Sequence, residues 1–319
     1  MKNHPYICMM KQSIEYIAFL VVSLLLVSCY TATESTPRIK VDKDIIRRIT
    51  AEEAVMDNNF VEHGCHTWLT GKTFTSVDSR LSPVLRPEDN DVSDEVDMMG
   101  KNFVYCGFRE DNIYGNKDVV YLLFDCEGSK YSYYTGKSMQ EIETTNYQPL
   151  IPSLVDMDVV AMARSLFVGK TLYIKSNRWY NPQGELMQGR QLVSVRVTGV
   201  EPGNNVLPLA ICYVDERGVQ AQVYITTKSS SQTQMLTFDR LFSYDDPRLQ
   251  HPDISDEVWK AITEARLMQG MTKVECRLAI GTPSEVKKIP TYSGLKEQWL
   301  YNSGAYLFFS DGVLEEFRQ

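Results

Sequence analysis

The feature that most constrains the fold is a pattern that the middle of the chain states twice. One pass runs Trp68-Leu69-Thr70-Gly71-Lys72-Thr73-Phe74, then Gly100-Lys101-Asn102-Phe103-Val104, then Leu122-Leu123-Phe124-Asp125-Cys126-Glu127-Gly128. The other runs Leu166-Phe167-Val168-Gly169-Lys170-Thr171-Leu172, Gly189-Arg190-Gln191-Leu192-Val193 and Ile211-Cys212-Tyr213-Val214-Asp215-Glu216-Arg217-Gly218. The step from Gly100 to Asp125 is 25 residues and that from Gly189 to Asp215 is 26, so order and spacing agree. Self-similarity of this kind points to two copies of one supersecondary unit. The first copy is longer before Gly100 because it carries an acidic insert around Glu88 to Asp97, which belongs in a surface loop. Two unrelated β-domains that share glycine turns are the other reading of matches this short.

Each pass opens with a helical run, Val159-Val160-Ala161-Met162-Ala163 in the second, and continues as short β-rich pieces punctuated by glycine. Val193-Ser194-Val195-Arg196-Val197 alternates apolar with polar, the period of a half-buried strand. Asp125 to Gly128 and Asp215 to Gly218 read as turns between strands, where glycine supplies the positive φ that other residues resist. The expected product is, in each copy, one helix packed on a small, strongly bent antiparallel sheet or barrel. It faintly resembles bacterial SH3-like barrels. Ahead of it, Thr50-Ala51-Glu52-Glu53 has the spacing of a capping box and starts a helix directed towards Cys65.

The C-terminal segment is the most legible. Ser255-Asp256-Glu257-Val258 opens a helix with a hydroxyl cap and acids in its first turn, and Val258, Ile262 and Ala265 follow at helical spacing up to a break at Gly270. Thr272-Lys273-Val274-Glu275 is a further capping box, and Gly281 with Pro283 stops that second helix. Gln298-Trp299-Leu300-Tyr301, Tyr306-Leu307-Phe308-Phe309 and Val313 to Phe317 are then three short strands, separated by Asn302-Ser303-Gly304 and Asp311-Gly312. Two helices on one face of a three-stranded meander would bury both apolar stripes.

Leu267-Met268-Gln269-Gly270-Met271-Thr272-Lys273-Val274, Leu278-Ala279-Ile280-Gly281-Thr282-Pro283, Trp299-Leu300-Tyr301 and Leu307 to Leu314 resemble, in that order, the BamE family, also called SmpA/OmlA. The resemblance covers about the last fifth of the chain. It implies the fold shared with β-lactamase-inhibitor proteins and the company of small outer-membrane lipoproteins that stabilise the β-barrel assembly machinery. Exposed aromatics on the strands, Trp299, Tyr301, Tyr306 or Phe308, are the candidates for partner contact, since side chains alternate faces and one set stays available.

The N-terminus carries a matching signal. Lys2 and Lys11 precede an apolar run from Tyr16 to Val27, which is shorter than the roughly 20 residues that span a bilayer. Leu26-Val27-Ser28-Cys29 closes it and resembles the lipobox of exported bacterial lipoproteins. That resemblance implies recognition of Leu26, Val27 and Ser28 by a signal peptidase, cleavage before Cys29, and a diacylglyceryl thioether plus an extra acyl chain on Cys29. Several chains hold a protein on a membrane where one is marginal. The polar run from Tyr30 to Pro37 then suits a flexible tether. The expected organisation is a leader over 1–28, a tether over 29–49, related α+β units over 50–152 and 153–250, and the BamE-like domain over 251–319.

Removing the leader, with Lys2, Lys11 and Glu15, takes the net charge from −8 to −9, a sign that disfavours nucleic acid and anionic lipid surfaces. Cys65, Cys106, Cys126, Cys212 and Cys276 then remain, with no CxxC spacing, so no disulfide framework is expected. Cys106 and Cys126 either pair across neighbouring strands or serve as small core residues. Gly71-Lys72-Thr73 and Gly169-Lys170-Thr171 invite a nucleotide reading that fails: the earlier glycine of a P-loop is replaced by His66 and Arg164, and the run after each is strand-like. His63-Gly64-Cys65-His66 is the one dense group of nucleophile, base or metal ligands, three ligands without a fourth. Glu88 to Glu95 lacks the glycine and terminal glutamate of an EF-hand loop, and reads as a solvated surface loop.

No cofactor, resident metal or catalytic constellation is expected. The expectation is a non-catalytic, lipid-anchored envelope protein, at the outer membrane facing the periplasm, that binds another envelope protein. A module that inhibits a hydrolase or grips cell-wall glycan through the repeated β-units is the second reading, and it predicts a groove or loop shared by both copies. A thiol or metal enzyme at His63 to His66 is the third.

Overall fold

Alternating apolar residues pair into three sheets in a computed structural model that describes residues 49–61, 63–80, 83–88, 97–113, 117–204, 206–227, 236–291 and 294–318. The lipobox Leu26–Cys29, the tether up to residue 48 and residues 89–96 of the acidic run lie outside them. The architecture is mixed α+β with mostly antiparallel sheets, one of them curled into a half-barrel. No helix among the described residues is long and apolar enough to cross a membrane.

The first sheet contains β1 (Thr73–Ser76), β2 (Leu85–Pro87), β3 (Asn102–Ile113), β4 (Lys117–Cys126), β5 (Ser129–Tyr134) and β6 (Leu154–Asp156), in the order β2-β5-β4-β3-β1-β6. The second contains β7 (Thr171–Ile174), β8 (Arg178–Tyr180), β9 (Leu186–Gln188), β10 (Val193–Pro202), β11 (Leu209–Asp215), β12 (Gln220–Ile225) and β13 (Phe242–Ser243), in the order β13-β7-β10-β11-β12-β8-β9. Within them, β1-β3-β4-β5 and β7-β10-β11-β12 are four neighbours in the same relative order.

Their hydrogen bonds agree atom for atom at the entry. The Gly71 N–H donates to the Tyr105 carbonyl at 2.9 Å, as Gly169 does to Val197 at 2.9 Å. Lys72 donates to Leu69 and Lys170 to Phe167, both at 3.1 Å, and a β-bulge follows at Cys106 in β3 and at Thr198 in β10. Two of the sequence matches do not survive this register. The Gly100 N–H donates to Ser76 and the Leu192 N–H to Ile174, so Gly100 stands opposite Leu192 rather than Gly189, and both have positive φ (74° and 55°). Gly189 is needed for a different reason. A Cβ there would lie 2.0 Å from the Trp179 ring, so only glycine lets the chain pass over that buried indole. Asp125 and Asp215 are likewise one position out of step, because Tyr105 pairs with Phe124 and Val197 with Tyr213. The turns differ accordingly: Glu127-Gly128 is a two-residue turn, while Asp215 to Val219 is wider.

Helices do not divide evenly between the sheets. α1 (Ala51–Asn59) has the expected capping box from Thr50 and Glu53 but ends well before Cys65. Met56 packs in the core of the second sheet, together with Val160, Ala163 and Phe167 of α3 (Met157–Phe167) and Phe238 and Leu241 of α4 (Phe238–Leu241). Glu52 ties the docking down: its buried carboxylate accepts the Tyr244 N–H at 2.9 Å. Burial works against that charge, yet the Tyr244 N–H, the Thr50 hydroxyl and the Lys175 ammonium hold its pKa below the usual value. The helix expected to open the first unit therefore covers the second. The first sheet keeps α2 (Met139–Thr145), whose Ile142 joins Phe74, Phe103 and Phe124 in a separate core.

The third sheet is a four-stranded meander, β14 (Glu285–Thr291), β15 (Gly294–Leu300), β16 (Tyr306–Ser310) and β17 (Val313–Arg318), and not three-stranded. The additional strand is an edge strand containing Pro290, which an edge accommodates. α5 (Asp256–Thr263) and α6 (Lys273–Ile280) pack with this sheet, Ile262 and Cys276 against Trp299, Leu307 and Phe309 in one core. α5 stops earlier than Gly270: Ala265 adopts φ 53°, and the Arg266 N–H reaches back to the Ala261 carbonyl in a Schellman arrangement. Gln191 joins this part to the second sheet. Its side-chain amide donates to the carbonyls of Ile262 (3.0 Å), Leu278 (2.9 Å) and Ala279 (2.6 Å) at the ends of the two helices.

Candidate binding cleft

Where helix cover of the first sheet is missing, the surface is concave. A cleft of about 1010 Å³ opens between the loop after α1 (Phe60, Val61, His63), the chain entering β1 (Trp68 to Lys72), the segment Gln148–Ile151 before β6, and the start of α3 (Asp156, Asp158, Val159, Met162). The local cause is the turn at Gly64. Its N–H donates to the Asn146 side chain at 2.8 Å, and the Cys65 N–H donates to the Tyr147 carbonyl at 2.8 Å. A Cβ on Gly64 would lie 2.5 Å from Asn146 Oδ1. A short 3₁₀ turn, Cys65–Thr67, therefore stands where the second half has a helix.

With no helix at that place, apolar side chains are exposed. By the hydrogen-bond register, Leu69 stands where Phe167 stands in the second half; Phe167 is fully buried, whereas Leu69 is 80% exposed. Leu150, also in the lining of the cleft, is 82% exposed, and Val61 and Met162 are exposed as well. Apolar groups gathered around a concavity mark a place where something else is bound.

The charged part of the cleft is one largely enclosed lysine and two aspartates. Lys72 Nζ lies 2.8 Å from Asp156 Oδ1 and 2.5 Å from Asp158 Oδ2, and 5.4 Å from the centre of the Phe74 ring. Asp156 also caps α3, accepting the Asp158 N–H at 2.9 Å. The Lys72 side chain is 12% exposed and that of Asp158 75%, so the ammonium is enclosed while one carboxylate faces the opening. An amine committed to two carboxylates is not free for phosphate, and β1 follows Lys72 directly, as the failed P-loop spacing requires.

Of the other sequence candidates, Cys65 is buried and its thiol is pushed up to about 11 by burial, while His63 and His66 lie exposed at the surface. That is the reverse of the electropositive setting that activates a thiol. Among the described residues no group of three or more His, Cys, Asp or Glu is placed to hold a metal. All five cysteines there are free, Cys106 exposed at its bulge and Cys126 buried.

Trp299 is withdrawn from the partner-binding candidates. It is fully buried, its ring 4.6 Å from Phe309 with the Arg277 guanidinium 4.7 Å above it. Tyr301 is half-buried and its hydroxyl donates to the Gly281 carbonyl at the end of α6. Tyr306 and Phe308 lie on the opposite face of the sheet from Trp299, half-buried with rings 5.5 Å apart. Leu69 and Leu150 are functional candidates that sequence reasoning does not single out. The available signal for Leu150 is a Leu-Ile pair between Pro149 and Pro152, outside any strand or helix period.

A groove common to both halves is not what the described residues form, since Phe167 fills the second position. Comparisons of the chain with protein-family models, with curated proteins and with solved structures find no match.

Proposed function

We propose that this is a lipid-anchored cell-envelope protein that acts by binding another protein, and that the cleft beside Leu69 and Leu150 is where it binds. Leu26-Val27-Ser28-Cys29 supports the anchor, and the BamE-like residues of the last fifth support an envelope setting at the outer membrane facing the periplasm. The shared strand order and bonding of β1-β3-β4-β5 and β7-β10-β11-β12 support reading the middle as two related units, the second of which has recruited α1. Two helices against a meander support the BamE-like reading of 251–319.

The observation that carries the binding role is the exposure of both Leu69 and Leu150 in the lining of one concave surface. Two measurements test the proposal. The intact mass of the native chain extracted from membranes should correspond to a polypeptide beginning at acylated Cys29; a free thiol there with the leader retained would rule out the anchor. In cross-linking from intact cells, a Leu69→Asp, Leu150→Asp double variant should lose the specific adduct that the wild type forms. An unchanged adduct would remove the cleft from the function.

A further inference from the structure

The cleft has a charge as well as a shape, and the two together describe its occupant. Of the charged side chains that line it, Lys72 is enclosed and neutralised, while Asp156 and Asp158 leave one net negative charge, with Asp158 facing the opening. The exposed apolar side chains Leu69 and Leu150 line the same cleft as those carboxylates. β6, whose three residues Leu154, Val155 and Asp156 line the cleft, is one of the two edge strands of the first sheet, and edge strands are where extended chains pair.

Resting on the proposed binding role, we infer that the cleft takes an extended apolar segment of a partner protein that carries a lysine or arginine, its apolar side chains on Leu69 and Leu150 and its cation on Asp158. An acidic segment would be repelled by the net negative charge of the Lys72, Asp156 and Asp158 cluster. A bare lipid chain would leave the excess negative charge of that cluster unmatched, and a second copy of this acidic chain would bring like charge to it.

The test uses the full chain and two labelled ten-residue peptides of leucine, serine and lysine, identical except that glutamate replaces lysine in one. Fluorescence anisotropy should show the lysine peptide bound about tenfold more tightly, with the preference shrinking as salt is added. Leu150→Asp should abolish binding of the lysine peptide. Asp158→Asn should bring the two peptides to similar affinity while retaining apolar binding, and Leu150 and Asp158 are exposed enough that both variants should melt like wild type. Equal affinity of the two peptides for the wild type, undiminished binding to Leu150→Asp, or occupancy of the cleft only by vesicle lipid or by a second copy would overturn the inference. These results are separable from the broader proposal. A cross-linked adduct lost in the Leu69→Asp, Leu150→Asp variant without peptide discrimination removes only the charge rule; an adduct that persists removes the site itself.

Discussion

The two large sheets share four neighbouring strands, the same entry hydrogen bonds and a bulge at the same place, yet one is sealed and the other is open. The second sheet is covered by α1, α3 and α4, with Phe167 and Phe238 stacked at 4.4 Å in its core. The first has a 3₁₀ turn after Gly64 and no helix directly before β1, and Leu69 is left in water where Phe167 is packed away. The same ladder thus lies under helices in one half and borders an open cleft in the other. The difference between them lies in where the chain ahead of each ladder goes.

The sharpest way to break this comparison is to truncate both members of the pair. Phe167→Ala should lower unfolding free energy by about 3–5 kcal/mol, through lost burial and the cavity left behind. Leu69→Ala should stay within about 0.5 kcal/mol of wild type in the same urea titration. Comparable losses at both positions would mean that Leu69 is not free.

Gln191 offers the next contrast, because its counterpart in the register is Met99, exposed in the first half. Gln191→Ala should cost about 1–3 kcal/mol by leaving the Leu278 and Ala279 carbonyls without this donor. Limited proteolysis should then cut between the second sheet and α5 faster, and Met99→Ala should change neither. Gly64→Ala sharpens the comparison at its origin. The added methyl displaces Asn146 from the Gly64 N–H, and a loss of about 1–2 kcal/mol in thermal or urea melts is expected.

The smallest effect concerns pH. Glu52 has a folded pKa below its unfolded value of about 4, so its contribution is complete above that value and is lost as pH falls through the depressed folded pKa. Glu52→Gln should flatten the acid limb of a stability-versus-pH curve below about pH 4 by on the order of 1 kcal/mol, with α1 loosening from the second sheet. An acid limb identical to wild type would mean that this carboxylate does not hold the helix.

Much of this is legible residue by residue. Thr50, Ser255 and Thr272 cap their helices as their spacing predicts, and Val193 to Val197 alternates between core and surface. Ser138 and Glu141 form another capping box, displayed as plainly by their spacing. β14 is not among the expected strands because Lys287, Lys288 and Pro290 read as loop, although an edge strand tolerates both charge and proline. The Gly100 match is misplaced because positive φ is a backbone property, met by glycine in one half and by Leu192 in the other.

Capping, strand period and turn chemistry act over three or four residues, so the string of amino acids alone is enough for most helix starts and strands. Which sheet α1 covers, which leucine is left bare and which lysine is neutralised depend on partners far away in the chain: Tyr244 for Glu52, Asn146 for Gly64, Asp156 for Lys72. Those contacts exist only once the sheets have closed around their cores, and the cleft is a product of that closure.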